Sequence, residues 1–104
     1  MKKQEIYDIL EDYKLDYTLP EYNFRSQKRI EEISNARWAI DELENYIFGN
    51  WEKQNPIDCC NTFIVDMTYY MHRYPKTRQQ FFMAIDIAED VRDIFICAMK
   101  GDCL

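Results

Sequence analysis

Apolar residues recur three and four positions apart along most of the chain, with charged residues filling the positions between them. Ile6, Ile9, Leu10 and Tyr13 form the first such stripe, and Glu5, Asp8, Glu11 and Asp12 occupy its other side. This pattern predicts a short amphipathic helix over about Lys3 to Tyr13. Thr18, followed three residues later by Glu21 and with Pro20 between them, has the form of a capping box, so a second helix is expected to begin near Leu19 or after Asn23. Ile30, Ile33, Ala36, Ile40, Leu43 and Ile47 carry that helix to Gly49, a residue able to end it in a left-handed conformation.

Pro56 suits the first turn of a third helix, roughly Ile57 to Arg73, with Cys60, Phe63, Ile64, Met67, Tyr70 and Met71 on the buried side by spacing. Pro75 disfavours a helical Tyr74. Thr77 and Gln80 repeat the capping-box pattern, and a last helix centred on Ala84, Ala88, Val91, Phe95 and Ala98 runs to about Lys100 before Gly101. Short connections between long amphipathic segments favour antiparallel neighbours. The expected fold is therefore all-α: a compact antiparallel bundle of three main helices plus a short N-terminal one, forming a single domain over residues 1–104.

Composition agrees with that pattern. The chain is 47% hydrophobic and 31% charged, and its two Gly and three Pro argue against a loop-rich or sandwich fold. The opening "MKKQEIYDILEDY" alternates acids with apolar residues and lacks the apolar centre of a signal peptide, and no apolar run is long enough to span a bilayer. A cytoplasmic protein is expected. Cys59, Cys60, Cys97 and Cys103 have neither CxxC spacing nor the pattern of a secreted disulfide framework, so they read as reduced thiols. The net charge of -6 opposes direct binding to nucleic acid or anionic membranes and favours a basic protein partner.

The charge is concentrated in "DIAEDVRD". At 100° per residue Asp86, Glu89, Asp90 and Asp93 fall within an arc of roughly 100°. Each like-charge pair three or four apart costs about 0.2–0.5 kcal/mol, and the stripe's four such pairs together cost about 1–2 kcal/mol. The stripe lies too far from the helix N-terminus for the macrodipole to offset this cost. Local helix stability does not account for it, which leaves solvent, a neighbouring basic helix or a partner as its environment. Ile85, Arg92 and Ile96 border the stripe, and a mixed apolar and acidic edge suits a protein interface. The partner-binding candidates are therefore Asp86, Glu89, Asp90, Asp93, Ile85, Arg92 and Ile96.

Two other constellations carry possible chemistry. Asp41 and Glu44 form a D-x-x-E pair on the second helix, and Asp86/Glu89 and Asp90/Asp93 form comparable pairs on the fourth. In residue type this resembles the all-α nucleotide pyrophosphohydrolases of the MazG and dUTPase kind, whose helices carry E-x-x-E and E-x-x-D pairs. The resemblance implies a magnesium-dependent enzyme, although Asn35 stands where an acid would complete a pair with Glu31 or Glu32. His72, Arg73, Lys76 and Arg78 form a basic corner suited to an anion or to an acidic partner patch. His72 has no sequence-marked nucleophile beside it.

The expectation is a non-enzymatic protein-interaction module that needs no catalytic set, metal or cofactor. One form is an inhibitor that occupies the basic site of a nucleic-acid-binding protein, the mode that small acidic phage and mobile-element proteins such as anti-CRISPR proteins resemble. A homodimeric scaffold is another.

Overall fold

The computed structural model describes residues 1–17 and 27–101. Its helices are α1 (Lys3–Leu15), α2 (Gln27–Gly49), α3 (Pro56–Arg73) and α4 (Arg78–Lys100), with a 3₁₀ turn over Pro75–Thr77. The Thr18/Glu21 capping box, Tyr22 and Cys103 lie outside the described residues. None of the described helices is long and apolar enough to cross a membrane.

The helix ends follow local hydrogen bonding. The Glu5 carboxylate accepts from the Lys2 backbone N–H at 3.1 Å and opens α1. At α3 the Asn55 side-chain oxygen accepts the Asp58 N–H at 2.8 Å, and its amide donates to the Asp58 carboxylate at the same distance. That reciprocal cap, followed by Pro56 at the first position, fixes where the helix begins.

Two termini differ from expectation. Gly49 stays helical, since Gly101 (φ 72°) is the only described residue with positive φ. α2 is ended by Asn50 instead: its side-chain amide donates to the Tyr46 carbonyl at 2.8 Å, and its own carbonyl accepts from Lys53 and Gln54. At the other corner Thr77 does not form a capping box with Gln80. The 3₁₀ turn folds the Tyr74 carbonyl back over Thr77, whose N–H and hydroxyl both donate to it, at 3.1 and 3.3 Å. The bond expected to cap α4 is spent closing the turn before it.

α4 packs most extensively on α3 and then on α2, while α1 lies across α2 and α4. The core draws on all four helices, with Ile6 and Leu10, Ile40, Leu43 and Ile47, Phe63, and Val91 and Phe95 at its centre. Buried alanines, Ala36 and Ala39 on α2 and Ala84 and Ala88 on α4, keep the interhelical layer thin. The shortest dimension of the molecule is 22 Å, two helix diameters, so every helix retains a solvent face. On α3 the buried set is Cys59, Cys60, Phe63 and Met67; Ile64 and Met71 are half-buried and Tyr70 is exposed. On α4 Ile87 joins the core, and Ala98, in the last turn, does not.

Phe95 is fully buried and Phe82 is 46% exposed, so the two phenylalanines of α4 should respond very differently to truncation. Phe95→Ala is expected to lose about 3–5 kcal/mol of stability in urea unfolding. Phe82→Ala should change it by about 0.5 kcal/mol.

Candidate functional site

The buried residues of α4, Ala84, Ile87, Ala88, Val91 and Phe95, fix its rotation in the bundle. Given that rotation, the helical repeat puts Phe82, Asp86, Glu89 and Asp93 directly opposite the core and turns Asp90 towards α1. All four carboxylates are exposed. Asp90 accepts a hydrogen bond from the Tyr13 hydroxyl at 2.9 Å. Burial, and then the hydrogen bonds to Tyr17 and Asp90, push the Tyr13 phenol well above its ordinary pKa, so it remains a donor.

Neighbouring helices do not neutralise the stripe. Among the described residues its only ion pair joins Asp93 to the adjacent Arg92 at 3.5 Å. The Arg92 guanidinium also donates to the Asn61 side-chain oxygen at 3.1 Å, which ties α4 to α3. Other short cation–carboxylate contacts among the described residues lie elsewhere, with Lys14 on Glu11 and Asp41, and Arg29 on Glu32.

Of the border residues, Ile85 and Ile96 are half-buried, and Ile85 packs against the core. The exposed apolar group on the stripe is Phe82, one helical turn before Asp86. Spacing alone left Phe82 out, because it falls off the apolar centre of α4.

A further element comes from α1. Ile9, Asp12, Tyr13 and Asp16 line an open groove of about 270 Å³ with Ile94 of α4. Its Asp12 and Asp16 carboxylates extend the acidic face past Asp90. These residues were not legible as part of the site, since only the docking of α1 brings them to α4.

The basic corner lies at the Phe82 end of this face. His72, Arg73, Lys76 and Arg78 are all exposed, and no ion pair holds any of them among the described residues. Beside them the Tyr70 and Tyr74 rings stack at 6.2 Å, and Phe81 packs 5.7 Å from Tyr70 and 6.0 Å from Trp38. Lys76 and Arg78 share an open groove with Pro75, Gln79 and Phe82.

The paired carboxylates of α2 and α4 are not brought together. Asp41 is tied to Lys14 on α1, and Glu44 faces Glu11, whereas Asp86, Glu89 and Asp93 point away from the bundle and Asp90 accepts from Tyr13. No cluster of three or more His, Cys, Asp or Glu residues able to hold a metal forms among the described residues.

Cysteine chemistry is equally remote from His72. Burial pushes the Cys60 thiol up to about 12, and burial followed by the charge of Asp58 raises Cys59, so neither is a thiolate at neutral pH. His72 lies twelve residues beyond Cys60 on the same helix, about 18 Å along its axis. Cys97 is a free, half-buried thiol on α4.

Comparison of the chain with protein-family models, with curated proteins and with solved structures finds no match.

One acidic group carries a cost inside the fold. Glu44 Oε2 is enclosed without a hydrogen-bond partner among the described residues, and burial, then the nearby Glu11 charge, raise the carboxyl above its ordinary range against the pull of Lys14. A carboxyl raised in the folded state binds its proton more tightly there. Its ionisation therefore costs no stability below the ordinary Glu value of about 4.3 and costs progressively more as pH rises past it. Glu44→Gln is expected to raise the urea midpoint near neutral pH, and the gain should vanish at about pH 3.

Proposed function

We propose that the chain is a non-enzymatic protein-interaction module that captures a basic surface of a partner protein on the outer face of α4. The observation that carries this reading is the exposure of Asp86, Glu89, Asp90 and Asp93, with one adjacent arginine as their only ionic partner among the described residues. Their mutual repulsion costs about 1–2 kcal/mol. Of the three environments open to such a stripe, a neighbouring basic helix is absent from the described fold. A basic partner would relieve the repulsion, and solvent would not.

Capture proceeds in two stages. The carboxylate row, reinforced by Asp12 and Asp16, steers a cationic surface towards the face and fixes its orientation. Contact then desolvates Phe82 and the Ile9 and Ile94 edges of the groove, which supplies apolar burial that charge alone lacks. A partner whose basic surface normally receives nucleic-acid phosphates fits a row of carboxylates spaced by single helical turns. In that form the module is a cytoplasmic inhibitor of a nucleic-acid-binding protein, as in the acidic phage and mobile-element mode.

A fluorescent helical peptide rich in Lys, Arg and Leu separates a built face from overall acidity. Asp86→Asn with Asp93→Asn should weaken its binding about tenfold, as expected for the loss of two surface charge contacts. Glu42→Gln with Glu52→Gln makes the same change in net charge at exposed positions on α2 and in the following turn, and should leave binding within about twofold. Equal weakening by the two pairs would reduce the effect to net charge and contradict the proposal. Neutralising all four stripe residues should also raise stability by about 1–2 kcal/mol.

A further inference from the structure

The outer face of α4 is graded in charge along its length. Lys76 in the 3₁₀ turn and Arg78 at the helix start are exposed cations without an ion pair among the described residues. Phe82 follows, and then Asp86, Glu89 and Asp93. By the helical repeat Arg78, Phe82, Asp86, Glu89 and Asp93 share one strip about 80° wide. Lys76, Arg78 and Phe82 also line one open groove of about 440 Å³, so the cations and the ring belong to one continuous surface.

Such a strip is complementary to itself when reversed. A two-fold axis level with Ala84 sets Arg78 of one copy, about 9 Å along the helix from the axis, opposite Glu89 of the other. Lys76 then lies opposite Asp93. The two Phe82 side chains approach the axis from either side, with Cα positions about 6 Å apart along the helix direction. Each ion pair is made twice and the contact closes on itself; the same axis brings the two Asp86 positions as near each other as the two Phe82 positions, a like-charge cost set against those ion pairs.

We propose that α4 pairs antiparallel with α4 of a second copy of this chain, through Arg78–Glu89 and Lys76–Asp93 ion pairs flanking a Phe82–Phe82 contact. This inference rests on the reading that the α4 carboxylates receive a basic protein surface, and it names one such surface. Charge complementarity selects the occupant: the cations left unpaired at one end of the strip are the groups that the carboxylates at the other end lack. Asp12, Asp16 and the groove against α1 stay outside the pairing, leaving an acidic flank for a different basic partner.

Sedimentation of the full chain at low salt, from about 10 to 500 µM, tests the pairing by charge exchange. The wild type should show a monomer–dimer equilibrium. Arg78→Glu and Glu89→Arg should each raise the dimer dissociation constant about tenfold or more, because symmetry removes two contacts per substitution. Combining them should restore it to within about threefold of wild type. Both single variants are expected to fold, since an acid suits the start of α4 and an arginine at 89 removes stripe repulsion; circular dichroism checks this. A wild type that stays monomeric throughout, single variants that dimerise normally, or a double variant that fails to recover would each overturn the pairing. If the pairing fails while the basic peptide still distinguishes the stripe variant from its charge-matched control, the functional reading stands and only the identity of this partner falls.

Discussion

Burial of one side of α4 against the other three helices is the constraint on which the rest of the structure depends. Phe95, Val91 and Ile87 reach the core only at one rotation of the helix, with Ala84 and Ala88 letting it approach its neighbours. Rotating α4 by a single residue position would turn it through about 100° and bring carboxylates into that layer, at the cost of burying unpaired charge. The apolar pattern thus fixes the acidic pattern. Asp86, Glu89 and Asp93 lie outside because Ala84, Ile87, Ala88, Val91 and Phe95, one or two positions from them, must lie inside.

Carboxylates in this chain meet three different fates, and the contrast defines the site. Asp41 is neutralised by Lys14 across the α1 and α2 contact. Glu44, one turn on, is enclosed with an oxygen left unsatisfied among the described residues and a raised pKa. The α4 carboxylates keep their hydration and make little use of nearby cations. Cations divide in a similar way: Lys14 and Arg92 bind helices together, while Arg73, Lys76 and Arg78 remain exposed at the far corner. Between the basic corner and the α4 stripe, charge is separated over the surface of the described residues and not paired off locally. Separation of this kind favours recognition over stability.

The architecture was legible in the sequence wherever it depended on periodicity. The apolar spacing marked all four helices, Pro56 opened α3, and Gly101 ended α4 in the left-handed conformation. Expectation and structure diverged where hydrogen bonding had a choice. Asn50, not Gly49, closes α2, and Thr77 serves the 3₁₀ turn before it can cap α4. The exposed stripe itself followed from spacing, but its surroundings did not. Phe82 was hidden because it falls off the apolar centre of its helix, and Asp12 and Asp16 join the face only through the docking of α1 on α4. Tertiary placement, which a one-dimensional pattern does not encode, decided both.

The proposed role makes the outer face of α4 a binding surface and not merely a solvated helix side. Backbone amide chemical-shift mapping, as a basic helical peptide is titrated into the labelled chain at a fixed, low protein concentration, tests it most directly. Shifts are expected to concentrate on α4 from Phe82 to Asp93 and on the α1 edge around Asp12 to Asp16, saturating together. Shifts spread over the acidic positions of every helix, or confined to α2, would contradict that role.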